Sequence, residues 1–281
     1  MTRAKAGTLW TAIFTLTFFA AQAQTTPQQL MQQVVDSERA ANQNDHSEWI
    51  YFEEIRKPKE HTLQWVAGTA EGNVCRVLEK DEQKLPEPEQ RELIDKFLHD
   101  QRARNKQLSE NRHDDQQVDD FLKLLPVAFI WTQVSATPTD TSLHFDPSPG
   151  FHPPTRESRV FAGMTGDVVV DNQQHRIRSM SGHLIHDVTF GGGLLGRLKE
   201  GSSFSLDQAQ VAPDTWQLTS IRVHLEGNAL LFKSVSLQQD DQRCRFEPEA
   251  ATVTLDQAAG AVMGQPETAQ PALSSLPIPC R

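Results

Sequence analysis

Residues 156–239 alternate apolar and polar side chains with a period of two, and the clearest pair of strands closes that stretch. Residues 216–226 and 229–238 flank Gly227-Asn228. A two-residue Gly-Asn between alternating runs predicts a β-hairpin. Such a turn would fix the register, with Leu225 opposite Leu230 and Val223 opposite Phe232 on one apolar face. Arg222 and His224 then fall on the wetter face. Val223, Leu225, Leu230 and Phe232 are therefore the candidate ligand-binding residues, because a one-sided apolar sheet must meet something apolar.

The rest of the chain divides by period. Residues 27–44 carry Leu30, Met31, Val34 and Val35 at helical spacing. Strands follow at 48–56, 61–68 and 73–80, separated by Lys57-Pro58 and Glu71-Gly72. From Pro86 the period becomes helical, with Leu93, Ile94, Phe97 and Leu98 on one face, and beyond them the pattern turns polar all round through Arg112. Asp114 or Asp115 is placed to cap a second helix, striped by Val118, Phe121, Leu122 and Leu125 and stopped by Pro126. Further strands are predicted at 128–134, 143–145, 159–164, 167–171, 175–190 (with a bend near 180–182) and 203–211. A last strand falls at 243–246 or 251–255. From Gly260 onward Pro, Ala, Gln and Ser predominate, which predicts a tail over 259–281 behind a single domain of residues 24–258.

Composition changes this picture at the start of the chain. Arg3 and Lys5, the apolar run 9–19 and the triplet Ala21-Gln22-Ala23 follow one another as the parts of a secretory signal peptide do. That run is shorter than the ~20 residues a bilayer needs, so cleavage near Ala23 and a periplasmic or secreted protein are expected. The residue directly after the cleavage position, Gln24, is not a cysteine, which argues against a lipid anchor. Losing residues 1–23 removes Arg3 and Lys5 and no acid, moving the net charge from −10 to −12. An acidic chain of this kind disfavours nucleic acid and anionic membrane surfaces as partners. Three cysteines, Cys75, Cys244 and Cys280, are too few for a disulfide scaffold; an oxidising compartment favours one pair, and spacing leaves open which.

Candidate chemistry is sparse. Gly191, Gly193 and Gly196 have dinucleotide-loop spacing, but the long helix and parallel βαβ unit that such a loop must open are missing, so a turn is expected. His183 and His186 are three apart, on opposite faces of a strand, and no H-E-x-x-H or G-x-S-x-G occurs. Asp114-Asp115, Asp119-Asp120 and Asp240-Asp241 suit caps and turns. No catalytic residue, metal or cofactor is assigned.

Four stretches, "FLKLLPVAFIW" at 121–131, "RVFAGMTGDVVVDNQQ" at 159–174, "HRIRSMSGHLIHDVTF" at 175–190 and "WQLTSIRVHLEGNALLFKSVS" at 216–236, carry a resemblance. Preceded by a signal peptide and three strands, they resemble the superfamily of the periplasmic lipoprotein carrier LolA and the outer-membrane receptor LolB. The resemblance covers most of residues 45–246. It implies an α+β fold: a strongly curved antiparallel sheet, an unclosed barrel, with helices on or in its concave face. By analogy it implies an exported cell-envelope protein that holds a lipid, an acyl chain or another apolar ligand. The alternatives are a structural or protein-interaction module of the envelope, and an exported hydrolase built from scattered residues.

Overall fold

The computed structural model describes residues 25–190, 196–229 and 238–267. Helix α1 (Pro27–Asn44) opens with a capping box, as the Thr26 hydroxyl accepts from the Gln29 N–H and the Gln29 side chain accepts from the Thr26 N–H. Its Met31, Val34 and Val35 are buried, as the 3.6-residue spacing predicts. Strands β1 (Trp49–Lys57), β2 (Glu60–Ala67), β3 (Val74–Lys80) and β4 (Gln83–Lys84) form a meander. Helices α2 (Glu87–His99) and α3 (Gln101–Ala128) follow. Next come β5 (Phe129–Ala136), β6 (Asp140–Pro147), a 3-10 segment (Glu157–Gly163), β7 (Met164–Asp171), β8 (Ile177–Leu184) and β9 (Val188–Phe190). The chain is completed by β10 (Gly196–Leu198), β11 (Ser203–Ala212), β12 (Thr215–His224), β13 (Gly227–Ala229), β14 (Gln238–Pro248) and α4 (Leu255–Gly264). Among the described residues no helix is long and apolar enough to cross a membrane.

Eleven strands form one antiparallel sheet in the order β4-β3-β2-β1-β14-β12-β11-β8-β7-β6-β5. Its ends, β4 and β5, do not pair, so the sheet is not closed. The fold is α+β.

The expected hairpin at Gly227-Asn228 is not formed. Strand β12 lies between β11 and β14, with Ser220 opposite Gln242, Arg222 opposite Asp240 and Val223 opposite Gln239 rather than Phe232. Residues 227–229 instead pair with β10, Leu198 opposite Gly227, in a three-stranded sheet with β9. Gly227 has φ 127°, and a Cβ there would lie 2.1 Å from the Arg197 carbonyl oxygen. A glycine required by such an approach reads, in sequence, like a turn glycine. Leu230 and Phe232 lie outside the described residues.

Other boundaries differ for local reasons. The helical region breaks at Asp100, whose carboxylate accepts from the Arg102 and Ala103 N–H groups at 3.0 and 2.9 Å. Asp114 and Asp115 sit exposed in mid-helix, and Pro126 lies inside the last turn of α3 rather than after it. Residues 159–164 are not a strand, being mostly within the 3-10 segment. The 175–190 stretch divides into β8 and β9 at residues 185–187, after its predicted bend. Helix α4 carries the packed structure past residue 258, burying Ala258 and Val262.

Two hydrophobic clusters anchor the helices. One joins Met31, Val34 and Val35 of α1 and Leu122 and Leu125 of α3 to Trp131, Leu143, Phe145, Val168 and Met180 of the sheet. The other joins Ile94 of α2 and Ala258 and Val262 of α4 to Ile50, Phe52, Trp65, Val74 and Leu78. Side chains of directly paired residues share a face, so the register relates the two clusters. From Phe52 it runs to Cys244, two residues along to Gln242, then Ser220, Asp207, Ser179 and Val169. Val168 and Val170 therefore face the other way. The α1/α3 layer and the α2/α4 layer cover opposite faces at opposite ends of the sheet, which leaves β14, β12 and β11 between them.

A candidate binding groove

That middle, which none of the described helices covers, holds a groove of about 770 Å³ on the face that carries α2 and α4. Its floor spans successive strands because each supplies alternate residues: Phe52, Glu54 and Arg56 from β1, Leu63 from β2, Gln242 and Cys244 from β14, Ser220 and Arg222 from β12. A smaller hollow of about 280 Å³ shares Phe52 and Leu63 with it and continues to Leu78 and Leu85. A third, of about 620 Å³, shares Arg56 and Arg222 and lies toward Val223 and Gln239.

The groove reverses the sign of the acidic chain around it. Arg56, Arg178, Arg222 and Arg243, with His61, line it against Glu54, Asp140 and Asp207. The deeper bases are committed to the fold. Arg178 reaches Asp171 at 2.5 Å, also pairs with Asp140, and lies 5.0 Å over the Trp216 ring. Arg243 donates to Glu53 at 2.8 Å and lies 5.4 Å from the Tyr51 ring. Burial opposes the Arg243 charge, but Tyr51 and Glu53 hold its pKa above the ordinary value. Burial likewise raises Tyr51 and Asp241. Glu54 pairs with Arg56 at 2.5 Å and with His61 at 2.9 Å.

The outer bases are open to solvent. The Arg56 side chain is 59% exposed and that of Arg222 46%, the latter 3.4 Å from Asp240. Asp240 stands between them in the register, and two residues along β12 from Arg222 the Ser220 hydroxyl is buried and has no hydrogen-bond partner among the described residues. A buried hydroxyl without a partner costs roughly 1–3 kcal/mol, and a ligand oxygen or water reaching it would recover that. The arrangement can therefore hold an anionic group at the rim and apolar atoms toward Phe52, Leu63, Leu78 and Leu85.

The sequence-predicted residues lie beside this groove. Val223 is half-buried next to Phe204 on the opposite face and borders the third hollow. Leu225 packs on the small cluster of Leu184, Val188, Phe190 and Leu198. The groove thus adjoins the wetter face of β12, through Ser220 and Arg222. Arg56, Arg178, Arg222 and Arg243 were invisible as a set, being scattered over 188 positions and assembled only by register. The available signal was an arginine recurring inside otherwise alternating strands. Among the described residues no cluster of three His, Cys, Asp or Glu side chains is placed to hold a metal ion.

No protein-family model, no curated protein and no solved structure matches the chain.

Proposed function

We propose that this is an exported cell-envelope binding protein that carries an anionic amphiphile. The charged head sits against Arg56 and Arg222, and the acyl chain runs over Phe52 and Leu63 toward Leu78 and Leu85. The observation that carries the reading is the continuity of an arginine-rimmed groove with an apolar side hollow through two shared residues. Each buried methylene of a guest contributes about 0.8 kcal/mol, and the arginines supply the charge-assisted bonds that orient a carboxylate or phosphate.

The unclosed, curved sheet of the lipoprotein-carrier superfamily is part of this proposal. Its support is the reach of α3. The Gln107 side chain accepts from the Asn73 N–H at 2.7 Å, beside β3, and the Leu125 carbonyl accepts from Trp131 Nε1 at 3.2 Å, in β5. Eighteen helical residues rise ~27 Å, whereas nine flat strand spacings would separate β3 from β5 by ~43 Å. This difference supports a sheet whose ends approach each other, with the groove on a curved wall. An exported location suits the leader-like residues 1–23 and the disulfide at Cys244.

The test is titration of the mature protein with a fluorescent long-chain fatty acid, under oxidising and reducing conditions, alongside native mass spectrometry of protein purified without detergent. Binding is expected, and Arg222→Glu and Leu63→Trp should each weaken it at least tenfold while far-UV circular dichroism stays unchanged. A chain that purifies bare and ignores the probe and long-chain lipids under both conditions ends the carrier reading, in favour of an interaction module whose apolar faces are filled by its own helices.

A further inference from the structure

We propose that the groove selects a polyhydroxylated head group, an anionic sugar or cyclitol whose hydroxyls seat on a row of four side chains across the strands. The inference names the head of the amphiphile and rests on the reading above for its acyl chain. The experiment separates the two.

Register lines up this row on the groove face. Ser179 of β8 stands opposite Asp207 of β11, Asp207 opposite Ser220 of β12, and Ser220 opposite Gln242 of β14. All four line the groove, and three strand spacings make the row ~14 Å long. None of the four side chains has a hydrogen-bond or ion-pair partner among the described residues, and Ser220 is only 8% exposed. The next position in the row is different. Glu54, opposite Gln242, is held by Arg56 and His61. Leu63 follows opposite Glu54 and belongs to the smaller apolar hollow as well. A ligand laid across the strands therefore passes from a polar seat to an apolar one without leaving the face.

The donors and acceptors of the row select the chemistry of its occupant. An acyl chain laid over it would bury four polar groups without partners, so the chain belongs at the Leu63 end. A phosphate or carboxylate alone only accepts, and Asp207 would repel it. An ammonium group donates to Asp207 but cannot accept from Ser220. A hydroxyl does both through one oxygen, and side chains directly opposite in a sheet, with Cβ atoms about 4.5–5.5 Å apart, are spaced for one such oxygen to bridge. A peptide amide also has a donor and an acceptor, but its N–H and C=O point in opposite directions, so one amide cannot bridge the pair. Gln242 and Ser179 extend the same alternation to neighbouring hydroxyls. The anionic group then falls to Arg222, two residues along β12 from Ser220, and to Arg56.

The experiment is isothermal titration calorimetry on protein purified without detergent, with three probes kept below micelle-forming concentrations. These are dioctanoyl phosphatidylinositol, free inositol monophosphate, and dioctanoyl phosphatidylmethanol, which has the same chains and charge but no hydroxyl on its head. Phosphatidylinositol should bind at least about tenfold more tightly than phosphatidylmethanol. Ser220→Ala and Asp207→Asn should each cut that ratio at least about threefold. Ser220→Ala removes a hydroxyl that has no partner, so its Tm should not fall; should it misfold, Asp207→Asn carries the comparison. Equal or reversed affinities for the two lipids, or a ratio that survives both substitutions, overturn the polyol seat and leave the carrier reading standing. Inositol monophosphate binding as tightly as the lipid sinks the carrier reading and leaves the seat. Silence from all three probes overturns both.

Discussion

Replacing Glu38 by alanine should be among the most damaging single changes in the protein. Glu38 stands on the buried side of α1, 3% exposed, and Arg176 beside β8 is 6% exposed. Its carboxylate accepts from Arg176 Nη2 at 2.9 Å and from the Ile177 N–H at 2.7 Å. Breaking a buried ion pair from one side leaves an uncompensated charge and typically costs 3–5 kcal/mol. Orphaning the Ile177 N–H adds about 1–3 kcal/mol, and because the two losses share one group they do not simply sum. We expect ~4–5 kcal/mol for Glu38→Ala. Glu38→Gln can still accept from Ile177 and should cost less, though the arginine stays unpaired. The paired replacement Glu38→Leu with Arg176→Met removes both charges and should recover most of the loss. Urea denaturation followed by circular dichroism measures all three through the midpoint at constant slope. A Glu38→Ala cost under 1 kcal/mol, or a double variant as unstable as the single, would refute the idea that this pair docks α1 on the sheet.

Three further outcomes follow from other sites. Burial pushes the Cys75 thiol up to about 12, so the native protein at pH 8 should leave this thiol unreacted with a disulfide reagent on a timescale where the urea-unfolded chain reacts at once. His144 lies 2.8 Å from Asp167, whose hydrogen bond raises its pKa, helped by the charges of Asp167 and Asp146. That stabilisation is complete below the unfolded-state value of about 6.5 and fades as pH rises through the higher folded value. The pair is solvent-exposed, so the effect should stay under ~1 kcal/mol, and the difference in Tm between wild type and His144→Asn should shrink from pH 5.5 to 8.5. Arg76, 3% exposed, donates to the Gln90 side chain at 2.7 Å and to the Met263 and Gln265 carbonyls at 3.1 and 2.7 Å. Arg76→Met should free the C-terminal end of α4 and cost ~2–4 kcal/mol, and amide exchange should rise in residues 255–265 before the rest; a uniform rise would count against it.

Local pattern determined much of this fold. The Thr26 cap and the Met31, Val34, Val35 stripe mark α1, and alternation with turn residues marks β1 to β3, because those signals act within a few residues. The helical period of residues 86–125 was equally legible, but its break was not. Asp100, Asp114 and Asp115 are equivalent as possible caps, and only the packing of α2 on β3 and of Leu122 and Leu125 on the sheet selects Asp100. Partner choice was the larger loss. A Gly-Asn pair is a good two-residue turn in isolation, yet β12 gains more by pairing with β14, which lies beyond residues 230–237, and Gly227 serves a close approach to Arg197. The same non-local choice decides the groove. Arg56, Ser220, Arg222 and Cys244 carry no mutual signature in the chain, since each is one polar or small position in a strand. They meet because antiparallel register aligns three strands, β1, β14 and β12, and because each described helical layer covers one end of the sheet rather than its middle. Period depends on neighbours in sequence; register and coverage depend on which distant surfaces bury the most apolar area, and only the tertiary structure holds that information.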